Sequence, residues 1–156
     1  MNATDNIRMI TSPQELQRHL EREVQARLNA VTYRLNTAGF EAVKAQRPID
    51  QNRGGYADDT GNLRSSVGFK LFCNGRDVTS QDTFAQVKDG AKGVQQGKDI
   101  ASEHARKFSK DGICLTLVAG MNYAGYVSAT GRDVLDTARR VAKEALPQIK
   151  TDLKLK

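Results

Sequence analysis

Apolar residues recur three or four positions apart at Leu16, Leu20, Val24, Leu28, Val31, Leu35, Ala38 and Ala42. That period predicts an amphipathic helix about eight turns long. Ser12-Pro13-Gln14-Glu15 starts it: Ser12 can cap, Pro13 suits the first helical position and Glu15 completes a capping box. Arg18, Glu21, Arg22, Gln25, Asn29 and Asn36 form the polar face. Pro48 requires the helix to end by Arg47. The period then changes to two. Val67, Phe69, Leu71 and Cys73 alternate with Ser66, Gly68 and Lys70, which predicts a strand over 63–73. Asn74-Gly75 is a hairpin turn that pairs Cys73 with Arg76 and Leu71 with Val78. The return strand is more polar, is interrupted near Thr79 to Asp82 and resumes over Thr83 to Val87.

Val94, Ala101, Ala105 and Phe108 predict a short, weakly amphipathic helix, with Gly93 and Gly97 weakening its first turns. Ile113, Leu115 and Leu117 make another strand's inward face, with Cys114 and Thr116 opposite. The pivot of the chain follows, AGMNYAGYVSATGRDVLD over Ala119 to Asp136. It holds a last short strand at Tyr123 to Ser128, then a second capping box at Thr130 and Asp133. Val134, Leu135, Ala138, Val141, Ala142, Ala145, Ile149 and Leu153 form a second helical stripe, which Pro147 must kink or bring to the end of its regular part. The expected class is α+β: a long N-terminal helix and a C-terminal helix packed on one face of an antiparallel sheet of about four strands, with a small inserted helix. Residues 1–11 read as a flexible arm and 12–156 as a single domain, with a long loop at 46–62 and an insertion at 88–112.

Composition refines this picture. Hydrophobic residues make up 38% and charged residues 27%, which fits a folded chain. Lys and Arg number 24 against 18 acidic residues, giving a net charge of +6. Nucleic acid or acidic protein is a compatible partner, but the charge is spread and forms no dense run. The most basic stretch is the C-terminal helix, where cations also suit the helix dipole. No secretory leader is expected from the first ten residues, MNATDNIRMI, and no apolar run reaches the length of a membrane span. Cys73 and Cys114 make neither a disulfide framework nor a zinc site, and the strand phase puts them on opposite faces. A reducing cytosol is the default compartment.

Candidate chemistry is sparse. The sequence holds no P-loop, Rossmann fingerprint, His-Glu-x-x-His or Gly-x-Ser-x-Gly. His19 and His104 sit among charged helical neighbours and read as solvated. Asp58-Asp59 is the one tight carboxylate pair, and aspartates in a Gly/Thr-rich turn are ordinary loop chemistry. No catalytic, metal or cofactor site is assigned.

Two segments change the reading. Tyr56 to Val67 is YADDTGNLRSSV, and Val118 to Val127 is VAGMNYAGYV. Together they resemble the HK97 gp10-like family of small tailed-phage virion proteins. Thr60, Gly61, Leu63, Arg64 and Ser66 match that family's T-G-x-L-R-x-S segment, and Tyr123, Ala124, Tyr126 and Val127 match its Y-A-x-Y-V segment. The order of helix, loop, hairpin, strand and helix fits as well. The chain departs from the family after the second motif, where Ser128-Ala129-Thr130-Gly131 replaces an acidic residue and Phe-Gly.

The resemblance implies a non-enzymatic virion protein of the neck or tail. It would be made in the host cytoplasm and complete the tail or join head to tail. It implies a homo-oligomeric ring, a hexamer by family habit, around the DNA channel. Adjacent neck and tail proteins would be its partners, with non-specific proximity to DNA, no membrane and no cofactor. A tail terminator or minor tail component is the alternative within the class, and a basic nucleic-acid-binding module the alternative outside it. An enzyme such as a metal-dependent nuclease would require Asp58 or Asp59. The polar loop supplies the candidate inter-subunit contacts: Arg53, Tyr56, Asp58, Asp59 and Asn62.

Overall fold

The computed structural model describes residues 12–154. The expected arm at 1–11 lies outside the described residues. Helix α1 spans Pro13–Gln46. Its capping box forms as expected: the Ser12 hydroxyl accepts from the Glu15 N–H at 3.2 Å, and the Glu15 carboxylate accepts from the Ser12 N–H at 3.0 Å. A 3-10 turn at Gln51–Arg53 and a one-turn helix α2, Asn62–Ser65, precede strand β1, Val67–Cys73. Then come β2 at Arg76–Asp77, α3 at Ala91–Phe108, β3 at Ile113–Ala119, α4 at Ala124–Ala129 and α5 at Asp136–Asp152.

The sheet has three antiparallel strands in the order β2-β1-β3. The Asn74-Gly75 turn sets the expected register, Cys73 opposite Arg76. Two expected strands are not formed. The return strand does not resume at Thr83 to Val87, because side chains take over its hydrogen bonding. Val78 N–H donates to Leu71 O at 2.9 Å. Beyond it, Leu71 N–H donates to Thr79 Oγ1 at 3.0 Å and Phe69 N–H to Thr83 Oγ1 at 3.1 Å. Arg47 Nη2 donates to the carbonyls of Val67 and Thr83. The edge of β1 is thus closed by two hydroxyls and a guanidinium in place of a strand. The other missing strand, Tyr123 to Ser128, is helix α4, and Leu63 to Ser65, expected as the start of β1, is helix α2.

Helices cover both faces of the sheet rather than one. Val67, Phe69 and Leu71 pack with Val43, Leu35 and Phe40 of α1. Gly68 points the other way, where Phe84, Ala101 and Val118 pack with Val94 of α3. Glycine sets how closely α3 can approach. A methyl on Gly93 would lie 1.9 Å from Asn62 O, and one on Gly97 would lie 2.6 Å from Ser66 O. The glycines that look like helix weakeners in the sequence are contact points, so α3 runs three residues longer than its apolar pattern suggests. On the opposite layer α5 lies against α1 through Ala42, Ala138 and Ala142. Cys73 and Cys114 are free and stand on opposite faces.

The apolar stripe of α1 is continuous in sequence but not in packing. The buried residues of α1 all lie from Asn36 to Gln46. Leu16, Leu20 and Val24 are 45%, 55% and 57% exposed, and every residue from 12 to 27 faces solvent. The N-terminal half of α1 projects beyond the sheet as an arm.

Candidate functional site

The two motif segments, 51 residues apart from Val67 to Val118, fold against each other. Val67 pairs with Ala119, and Gly120 N–H donates to Ser66 O at 3.2 Å. Above this junction Tyr56, Leu63, Met121, Ala124 and Val134 form one buried cluster, with Val127 and Leu135 packed on it.

Local chemistry explains why both segments are helical. The Asp58 carboxylate accepts the Arg64 N–H at 3.0 Å, and Gly61 O accepts the Ser65 N–H at 2.9 Å. Gly61 sits at φ +78°, a conformation that favours glycine. The Ser66 hydroxyl donates to Leu63 O at 2.7 Å and closes the turn. In α4, Ala124 and Val127 face the cluster while Tyr123 and Tyr126 face out, a spacing of three that suits a helix and not a strand. Gly131, at φ +79°, ends that run.

The loop at 46–62 is held by its own chain. Asp50 Oδ1 accepts the N–H groups of Asn52 and Arg53 at 3.1 and 3.2 Å. Asp133 N–H donates to Gly54 O at 3.0 Å, and Lys88 Nζ donates to Asp58 O at 2.7 Å. Polar as it is, this loop joins the core at Tyr56, which is 7% exposed. Arg64 lies over the Tyr56 ring, 5.8 Å from its centroid. Burial, and then the charge of Asp58, push the Tyr56 hydroxyl up to about 12. Tyr123 is also raised, by burial and then by Asp58.

The candidate contact residues separate accordingly. Arg53 and Asp59 are exposed. Asp58 is half-buried and occupied with Arg64. Asn62 is half-buried; its Oδ1 accepts the Gly93 N–H at 3.1 Å and its Nδ2 donates to Thr60 Oγ1 at 3.0 Å. Tyr56 is committed to its own core and is not free to meet a neighbour. On the same pole Tyr126 is 76% exposed. The surface that remains is Arg53, Asp59, Tyr123 and Tyr126, which can make polar and aromatic contacts.

Sequence reasoning missed two features. One is the exposure of the α1 arm, which no sequence period distinguishes from burial. The other is the joint between Gln46 and Asp133, which binds the end of α1 to the start of α5. Among the described residues no three His, Cys, Asp or Glu side chains are grouped to hold a metal, and no helix is long and apolar enough to cross a membrane. No protein-family model, curated protein or solved structure matches the chain.

Proposed function

We propose that this chain is a structural virion protein of a tailed phage, placed at the neck or tail, which completes the tail or joins head to tail by assembling as a ring around the DNA channel. It works by contact rather than catalysis. The observation that carries the reading is the α1 arm. Its apolar stripe, Leu16, Leu20 and Val24, stands in water along roughly 12 Å of helix. Fully burying a Leu or Val side chain is worth about 1.5–3 kcal/mol, so assembly recovers what folding leaves exposed here.

Charge permits that contact. The whole chain carries +6, but the arm balances Glu15, Glu21 and Glu23 against Arg18, Arg22 and Arg27. Copies can therefore meet through the arm without the repulsion that the rest of the surface imposes. A closed ring needs heterologous contacts, and an arm projecting from one end of the molecule suits that geometry. The exposed basic residues Arg139, Arg140 and Lys143 of α5 suit acidic neighbours or DNA phosphate.

Light scattering across a protein and salt series tests the reading, beside the Leu20→Arg variant and with a DNA duplex added last. A ring-sized mass that Leu20→Arg abolishes, with its unfolding midpoint unchanged, is the expected result. Tight duplex binding by a monomer, with affinity collapsing as salt rises, would overturn it in favour of a nucleic-acid module.

A further inference from the structure

β3 is an outer strand of the sheet, on the opposite side of β1 from β2. Two hydrogen bonds bracket its ladder with β1: Gly120 N–H to Ser66 O at 3.2 Å and Asn74 N–H to Gly112 O at 2.8 Å. Antiparallel bonding alternates along a strand, so Val118, Thr116 and Cys114 bond to β1. The main-chain groups of Ile113, Leu115, Leu117 and Ala119 then point away from β1. No hydrogen bond from a described residue reaches them.

Exposure is even along most of the strand. From Ile113 to Leu117 every residue is half-buried, whichever face its side chain takes. An uncovered face would expose alternate residues, so neither face of β3 is bare. The opposite edge of the sheet differs, because Thr79, Thr83 and Arg47 close it.

No charge, proline or bulge blunts the edge. Proteins usually guard an outer strand with a charge, a proline, a bulge or short length. β3 reads ICLTLVA, without a charged residue or proline, and it keeps an unbroken register with β1.

We propose that β3 pairs antiparallel with β3 of a second copy, about a two-fold axis at Thr116. This pairing sets Ile113 opposite Ala119 and Leu115 opposite Leu117, so the outward main-chain groups of one copy meet those of the other. Leu115 and Leu117 lie on the α1 face, where the pair extends the apolar layer. Thr116 meets Thr116 of the second copy on the other face, a favourable cross-strand pair. The two three-stranded sheets become one of six strands. Antiparallel pairing keeps each helical layer on its own side, whereas a parallel two-fold pair would turn one sheet over. A two-fold pair has no place in a polar ring, so it is a state of the free protein and is independent of the virion reading.

The test uses Thr116, which is half-buried and central. At a non-hydrogen-bonded antiparallel pair the Cα atoms lie about 4.5 Å apart, within disulfide range. Thr116→Cys, in a Cys73→Ser, Cys114→Ser background, is expected to give a covalent dimer on mild oxidation. Thr116→Lys sets two ammonium groups against each other and is expected to raise the dimer dissociation constant about tenfold or more. Its unfolding midpoint, measured at a concentration where the parent is monomeric, should hold. Thr116→Val should keep the dimer. A parent that stays monomeric at every concentration, or an oligomer that Thr116→Lys leaves intact and Thr116→Cys does not cross-link, would overturn the proposal. Assembly sensitive to Leu20→Arg and blind to Thr116→Lys would sink this pairing and leave the virion reading standing.

Discussion

Gln46, the last residue of α1, grips the start of α5 with both ends of its amide. Nε2 donates to Asp133 Oδ1 at 2.9 Å and to Asp133 O at 3.3 Å, while Oε1 accepts the Ala138 N–H at 2.9 Å. The side chain is nearly buried, with 3% exposure. Truncation to alanine leaves the Ala138 N–H unpaired in the interior, a cost of about 1–3 kcal/mol. Urea unfolding of Gln46→Ala is expected to show that loss, and a loss within about 0.5 kcal/mol would mean the joint is not structural.

Asp133 gives the same joint a dependence on pH. Burial acts to raise its carboxyl, but hydrogen bonds from Thr137 and Gln46 outweigh burial and hold it below the usual 3.8. A carboxyl depressed in the fold adds stability that is complete above its unfolded pKa and is lost as pH falls through the folded one. Between about pH 4 and pH 2 the wild type should lose more unfolding free energy than Asp133→Asn, which has no such titration. Asp77 and Asp82 are also held low, with Lys70 and Lys98 as partners, but their contributions are common to both proteins and cancel. Equal acid slopes for the two proteins would refute the assignment.

The sequence carried the elements whose cause is local. Ser12 and Glu15 are three residues apart, Asn74-Gly75 forces its own turn, and the period of two in β1 needs no distant partner. It misread elements whose cause is remote. Tyr123 to Ser128 is rich in residues that suit strands, yet Ala124 and Val127 must both reach a cluster that includes Tyr56 and Val134. Thr83 sits where a strand is expected, but its hydroxyl substitutes for one. The Leu16, Leu20 and Val24 stripe looks like core because periodicity reports an apolar face and not what covers it. Of the candidate contact residues, Tyr56 has a burial that its sequence neighbours do not signal: they are polar, and its neighbours in space are apolar.

Thr83 yields a test of that substitution. Thr83→Val keeps the shape and removes the oxygen that accepts from the buried Phe69 N–H. A buried donor left unpaired costs about 1–3 kcal/mol, whereas Thr83→Ser keeps the oxygen and should cost less. Chemical denaturation of the pair measures the difference, and the Phe69 amide should lose hydrogen-exchange protection in Thr83→Val alone. Matching stabilities would show that another group, or water, satisfies Phe69.

Two glycines in helices should respond to alanine in opposite directions. Gly93 packs against α2, and an added methyl would lie 1.9 Å from the backbone oxygen of Asn62, so helix and loop must part. Overpacking of this kind costs about 1–3 kcal/mol and disturbs the Asn62–Gly93 hydrogen bond. Gly125 lies in α4 with nothing within 4 Å of the same methyl. Alanine there should stabilise by about 0.4–1 kcal/mol, through reduced freedom of the unfolded chain. Thermal melts of both variants check the signs, and a stabilised Gly93→Ala would contradict the close packing of α3.

Tyr56 makes the fold sensitive to alkali. Its hydroxyl is raised from 10.0 to about 12, first by burial and then by Asp58, while Arg64 pulls the other way. The fold therefore favours the neutral phenol. That preference contributes in full below pH 10 and is lost as pH climbs toward 12, because the unfolded chain releases the proton first. Two pH units correspond to at most about 2.7 kcal/mol. Tyr56→Phe keeps the buried ring and cannot ionise, so its stability should fall less than the wild type's across this window. Asp58→Asn should lower the Tyr56 pKa, read as an earlier tyrosinate absorbance step when its titration is compared with that of Asp58→Asn, Tyr56→Phe. An unchanged step would show that burial alone sets the shift, and parallel alkaline losses in wild type and Tyr56→Phe would remove Tyr56 from the account.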